Sequence, residues 1–386
     1  MELEYSNISD KATSHTATEI AGQPRLWQET FETINHQKSE LADFLNKVFK
    51  IEDLIVVLTG AGTSAYIGDV LHKIFQRNTG KTTEAVATTD LITNPEDHFR
   101  KDRTTLLVSF ARSGDSPESE AAVNLADTHC RRVFHLIVTC NPNGKLAGAV
   151  KEENSYVLLM PEASNDKALA MTGSFTSMLL AGVLLSDLEN LELNKSYVDQ
   201  LAKYGEDILE KYQPKIKEIA KMDFKRAVFL GSGLLKGIAR ESQLKLQELT
   251  DGQVICKFDT FLGLRHGPKA VIDKSTIVIY LFSRDNYINK YERDLVQSIN
   301  ASENKMYEIG IGEVIKNKED ISLDLSIELS STNNLPEEYF VVCGVLPAQL
   351  LGMYKSMNLG LSPDSPSVTK SINRVVQGVN IYPYHS

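Results

Sequence analysis

The chain has 386 residues, 42% hydrophobic and 24% charged, with a formal net charge of −10. That length exceeds what one hydrophobic core usually serves, so two domains are expected. The negative field, with no offsetting run of Lys and Arg, argues against nucleic-acid binding; an anionic small ligand would have to be captured locally, by backbone N–H groups and helix N-termini. Four scattered cysteines, Cys130, Cys140, Cys256 and Cys343, show no C-x-x-C spacing and fit a reducing cytosol better than a disulfide scaffold. The opening MELEYSNISDKATSHTATEI has early acids and no apolar core, so no secretory signal is expected and the predicted location is cytoplasmic.

Residues 1–50 read as an N-terminal helical extension, with one helix over about 25–48 carried by Leu26, Phe31, Ile34, Leu41, Leu45 and Val48. Residues 53–59 form a short β-branched run, followed by Gly60-Ala61-Gly62-Thr63-Ser64 and a helical pattern. Strand-like runs at 104–110, 133–139 and 155–160 complete a doubly wound domain over about 51–200. The stretch 168–186 is uncharged, but its Thr172, Gly173, Ser174, Thr176, Ser177 and Gly182 favour a buried core helix over a membrane span. After a polar amphipathic stretch over about 190–221 the pattern restarts. Residues 226–233 repeat the strand and Gly-x-Gly turn, and further strand-like runs follow at 252–257, 276–282, 305–310 and 323–329. Internal duplication, with a second domain over about 215–386, accounts for the length. Each half closes with an apolar helix, 175–185 and 339–354, and Pro347 is expected to kink the second. The tail after Leu361 is expected to be an ordered loop and a short helix. The predicted fold class is α/β: two tandem doubly wound, flavodoxin-like domains with parallel sheets, behind an N-terminal helical extension.

Gly60 to Ser64 close a strand and open a helix, where glycines permit close backbone approach and free N–H groups and hydroxyls face an incoming anion. Alone, this turn serves equally well as a plain connection. Its G-x-G-x-x-A spacing, Gly60 to Ala65, also matches a dinucleotide fingerprint, with Glu84 where a ribose-binding acid would stand. A second loop, Ser113-Gly114-Asp115-Ser116-Pro117, favours a monophosphate, because two such loops can surround one phosphate with Ser64, Ser113, Ser116 and N–H donors. A merely capped turn is the plainer reading of that loop. The matching loop of the second half, 282–286, has lost the glycine and most hydroxyls, so phosphate is expected only in the first half.

Glu241, Lys245 and Glu248 share one helix face, although a surface Glu–Lys pair would look the same. His266 precedes Gly267-Pro268, on a rigid loop whose imidazole suits proton transfer, yet isolated loop histidines are usually structural. Lys370 would ordinarily be a solvated surface charge. His129, Cys130 and His135 are the tightest group of metal-ligand types, lack a fourth ligand, and read as structural, so no metal and no redox cofactor are expected.

In their order, GAGTS, SFARSGDSPES, ESQLKLQELTDG, LRHGPKAVID and PSVTKSI resemble the double sugar-isomerase (SIS) domain proteins over nearly the whole chain, from about residue 45 onward. SFARSGDSPES most resembles the tagatose-6-phosphate ketose/aldose isomerase or galactosamine-6-phosphate deaminase/isomerase branch. The resemblance implies two SIS domains and an enzyme that converts galactosamine-6-phosphate to tagatose-6-phosphate with release of ammonia, or interconverts aldose and ketose 6-phosphates, without a cofactor. It also implies that Gly62, Thr63, Ser64, Ser113 and Ser116 hold the sugar phosphate, that Glu248 is the general base, that His266 assists ring opening, that Lys370 reacts with or polarises the carbonyl, and that Lys245 belongs to the site. The His266 loop would cross into a neighbouring subunit, giving a homodimer or larger homo-oligomer with a shared active site. Ala111 stands where the related aminotransferases have a phosphate-loop serine, with Arg112 next, so Arg112 is expected to share the phosphate through a charge-assisted contact. Glu2, in place of a nucleophilic cysteine, argues against a glutaminase half, which makes deamination the expected direction for an amino sugar. A non-catalytic sugar-phosphate-binding regulator is the alternative, weakened by the lack of a predicted helix-turn-helix ahead of the first domain.

Overall fold

The computed structural model describes residues 14–149, 152–302, 304–313, 315, 318–330, 335–376 and 378–384. The opening residues read above for a secretory signal lie mostly outside them. Among the described residues, ten strands form two sheets. The first contains β1 (Leu54–Thr59), β2 (Thr82–Ala85), β3 (Thr104–Ala111), β4 (Arg132–Thr139) and β5 (Ser155–Leu159); the second contains β6 (Arg226–Gly231), β7 (Ile255–Asp259), β8 (Thr276–Leu281), β9 (Tyr307–Gly312) and β10 (Leu325–Glu328). Their orders are β2-β1-β3-β4-β5 and β10-β9-β8-β6-β7, and every pairing is parallel. Taken from its other edge, the second sheet runs β7-β6-β8-β9-β10, which is the first order over again. The duplication is therefore structural. β1, β3 and β8 are buried along their whole length, as central parallel strands must be.

This order reverses between β1 and β3, and again between β6 and β8; a dinucleotide-binding sheet has its first strand elsewhere, in the order 3-2-1-4. Glu84 lies exposed on the edge strand β2. The fingerprint spacing at Gly60 to Ala65 thus sits in a different topology from the one it is known for.

The N-terminal extension corrects the sequence expectation. In place of one helix over 25–48, the chain makes α1 (His15–Ala21), α2 (Gln23–His36) and α3 (Lys38–Phe49), with a corner at Gln37. Ile34 and Leu41 are seven residues apart, which two helical turns or a corner satisfy equally, so the periodicity hid the break. The central core is one continuous cluster. Val70 and Leu71 of α4 (Thr63–Thr79), Leu180 and Leu184 of α6 (Gly173–Ser186), and Ile238 and Leu246 of α8 (Leu235–Leu249) all belong to it. On the outer faces, α5 (Pro117–His129) packs Ala122 and Ala126 against Ile55 and Val57, and α9 (Asn286–Asn300) packs Leu295 and Ile299 with Val278 and Tyr280. A polar helix, α7 (Leu191–Asp207), leads toward the second half.

All residues of α6 are buried, as its uncharged sequence led us to expect of a core helix. The second apolar helix is divided at Val345 into α10 (Glu337–Gly344) and α11 (Leu346–Asn358), with Pro347 in the first turn of α11, where its missing N–H costs least. Together they are long and apolar enough to cross a membrane, but 94% of the apolar window is buried inside the protein. After Asn358 the described residues contain no helix, which corrects the short helix expected in the tail. Side-chain anchors hold that tail instead.

Candidate active site

The turn after β1 is shaped for close approach. A Cβ on Gly60 would stand 2.6 Å from the Ser64 backbone, and Gly62 adopts φ +56°, a conformation that favours glycine. The turn after β6 repeats both features, at Gly231 and at Gly233 with φ +56°. From Gly62 the chain enters α4, which puts Thr63 and Ser64 in the first helical turn, where Ser64 N donates to Ala61 O at 3.1 Å and the positive end of the helix dipole favours an anion.

A cavity of about 610 Å³ lies where this turn, Arg112 at the end of β3, the last turns of α8 and residues 371–374 of the tail come together. α8 supplies its charged wall. Spacings of four and three residues place Glu241, Lys245 and Glu248 on one face. Lys245 Nζ stands 3.2 Å from Glu241 Oε1 and 3.2 Å from Thr63 Oγ1, and it donates directly to Glu248 Oε1. Thr63 in turn donates to Glu241 Oε1 at 3.4 Å. The side chains of Lys245 and Glu241 are fully buried, and that of Glu248 keeps 16% exposure, so a solvated surface pair is ruled out. Removing one partner of such a buried pair costs about 3–5 kcal/mol, which makes this an expensive place for idle charge.

Burial pushes the Glu241 carboxyl up to about 7 against the pull of Lys245. Burial by itself would lower the Lys245 ammonium, but Glu241 and Glu248 outweigh it, and its pKa ends raised. Glu241 Oε2 finds no hydrogen-bond partner among the described residues. Of the two carboxylates, Glu248 is the one that lines the cavity.

The cavity brings together Gly62, Thr63, Arg112, Lys245 and Glu248 of the residues predicted from sequence. Ser64 lies just behind, buried, with Oγ 3.8 Å from Met171 Sδ. Ser113 and Ser116 are half-buried in the loop before α5; Ser113 Oγ accepts from Asp115 N at 3.3 Å, and Ser116 donates to Glu118 Oε2 at 2.5 Å. His266 is exposed, in the turn after the short helix Phe261–Leu264, and is not among the lining residues of its own chain. Lys370 is exposed too, immediately before the lining residues Ser371 and Ile372, with φ +55°. Arg112 is buried with its guanidinium on the carbonyls of Ala168, Leu169 and Arg374. Burial lowers its pKa. His129, Cys130 and His135 face separate partners: Leu125 O, Thr105 Oγ1 and Asp127 Oδ1. Sequence reasoning missed Leu169, Met171 and Asp251 as cavity residues; Asp251-Gly252 carried only a turn signal.

The SIS domain family matches residues 55–186. The D-galactosamine-6-phosphate deaminase AgaS of Shewanella sp. (strain ANA-3) is 38% identical, over 99% of this chain and 95% of its own length. The chain belongs to the AgaS family of SIS-domain proteins. Among solved structures, the tagatose-6-phosphate ketose/aldose isomerase from Escherichia coli superposes with a TM-score of 0.87 at 33% identity, covering 98% of this chain and all of that one. The C-terminal domain of glucosamine-fructose-6-phosphate aminotransferase from Francisella tularensis shares the fold, with a TM-score of 0.76 at 20% identity over 92% of this chain and 99% of its own. The match of the SIS family stops at Ser186, but the repeated strand order and glycine turn extend the same architecture through the second half.

Proposed function

We propose that this chain converts galactosamine-6-phosphate and water to tagatose-6-phosphate and ammonia, with aldose–ketose isomerisation of 6-phosphates as the chemistry it shares. The observation that carries this reading is the Glu241–Lys245–Glu248 wall, joined through Thr63 to an anion-suited turn. Full-length likeness to a relative named for that activity supports it.

The phosphate is held by Gly62, Thr63 and Ser64 at the α4 N-terminus, with Ser113 and Ser116 from the next loop. With the sugar opened to its aldehyde, Glu248 removes the C2 proton and returns it to C1, which moves the carbonyl character to C2. A 2-amino sugar becomes a C2 imine, and water cleaves it to ketone and ammonia. Lys245 balances the charge of Glu248 during the transfer, and Lys370 polarises the C2 centre or forms an imine with it. His266, exposed and outside the lining of its own cavity, serves ring opening in the site of a second subunit. That role makes the active form a homodimer or larger homo-oligomer. The free thiols fit a cytoplasmic setting. The test is incubation of pure protein with galactosamine-6-phosphate, with ammonia and ketose both measured. Equal release of the two is expected; silence across hexosamine and hexose 6-phosphates would overturn the reading.

A further inference from the structure

The tail that lines the cavity is tied down on both sides of Lys370. Before it, Val368 N donates to Asp251 Oδ2 at 3.1 Å, and Asp251 directly follows the turn that ends α8. After it, Arg374 donates from Nε and Nη2 to Asp166 O at 2.9 and 2.6 Å, and from Nη2 to Asn165 Oδ1 at 2.7 Å. Arg112 closes the knot: Nη2 donates to Arg374 O, while Nη1 donates to Ala168 O at 3.2 Å and Leu169 O at 2.9 Å. The segment that receives these bonds is itself fixed, because the buried Asp166 carboxylate accepts from the backbone N–H groups of Thr172, Gly173 and Ser174 at the start of α6.

Two described non-glycine residues have positive φ, Asp251 at +48° and Lys370 at +55°. One is an anchor and the other lies inside the anchored span. Such backbone persists only where its surroundings over-determine it, and it collects at functional sites. Between the anchors lie Lys370 and the lining residues Ser371, Ile372 and Asn373.

We infer that Arg112 is a positioning residue: with Asp251 it fixes residues 368–374 across the cavity, and so sets where Lys370 stands, instead of taking the phosphate itself. The inference rests on the proposed function only for the role of Lys370. The geometric reason is that three of the five guanidinium N–H donors already go to backbone carbonyls, one of them Arg374 O of the tail itself, so the bonds this side chain makes are to the segments that frame Lys370.

The test compares Arg112→Gln, Arg374→Ala and wild type by steady-state kinetics, calorimetric binding of inorganic phosphate, and hydrogen exchange over residues 366–376. Positioning predicts that both variants lose about tenfold or more in kcat, keep KM and phosphate affinity within about twofold, and exchange faster in that peptide. A phosphate affinity about tenfold weaker in Arg112→Gln with kcat retained would overturn the inference, as would unchanged exchange and kcat in Arg374→Ala. Arg374 is only partly buried, so its variant carries the test if Arg112→Gln does not fold. If wild type turns over no phosphosugar, the proposed function fails, while exchange and phosphate binding still decide this inference.

Discussion

Glu248→Gln keeps the shape of the group beside Lys245 and removes the base. Turnover is expected to fall by about 10²–10⁴-fold while calorimetric affinity for the phosphosugar survives; an active variant would take Glu248 out of the chemistry. Lys245→Met is a different experiment, because it leaves Glu241 and Glu248 facing each other without their cation. Urea unfolding should show a loss of about 3–5 kcal/mol, alongside lost turnover. These three residues were legible in the sequence because their grouping is local: steps of four and three along one helix. Arg112 was not. Its partners lie 56, 57 and 262 positions away, so no spacing rule could foresee that three of its donors would go to carbonyls. Likewise His266 and Lys370 stood out only as members of an ordered motif set, and neither is drawn into the cavity by its own helix or strand.

At the scale of elements, the junction between α4 and α8 matters most, since one carries Thr63 and the other Lys245. Gly237 of α8 sits against α4, where an added Cβ would meet Val70 Cγ2 at 2.6 Å and Val70 N at 3.2 Å. Backbone cannot swing aside as a side-chain tip can, so Gly237→Ala should separate the two helices. A stability loss of about 1–3 kcal/mol is expected by thermal denaturation, with reduced turnover from a lengthened Thr63–Lys245 contact. A second element-scale prediction concerns α9. Its Glu292 is buried beside the loop after β8, accepts from Ser283 N at 3.0 Å, and is pushed by burial from 4.5 up to about 7. A carboxyl raised in the folded state favours folding below its unfolded value and loses that contribution as pH rises through its folded value. Glu292→Gln mimics the protonated form, so its stability relative to wild type should improve between pH 5 and pH 8; a gap independent of pH would contradict the raised value. Strands and buried helices were readable from β-branched runs and uncharged stretches. The corner at Gln37 and the edge strand β2, four residues reading Thr-Thr-Glu-Ala, were not, because neither breaks an apolar period.

For the whole molecule, duplication has divided the labour. The first domain keeps two hydroxyl-bearing loops at its strand reversal, and the second contributes α8 and its charges. The repeated strand pattern made this legible at once; the way the halves share one cavity was not, since it depends on packing between distant segments. If His266 serves a partner's cavity, mixing His266→Ala with Glu248→Gln protein should restore about a quarter of wild-type activity, because half of randomly re-formed dimers carry one intact site of two. Kinetics after subunit exchange would show it, and no recovery would assign His266 to its own chain.

The knot at residues 165–169 also reaches the beginning of the fold. Lys167 N donates to Glu19 of α1, Leu169 N donates to Asp364 O, and the Asp364 carboxylate accepts from His15 N and Thr16 N. During synthesis the first sheet leaves the ribosome long before Asp364 and Arg374 do, and it can fold as a unit meanwhile. Its side of the cavity must then wait, half walled, for the last stretch of chain to arrive. Nascent chains stalled before residue 364 should therefore hold a folded first domain that has no catalytic capacity.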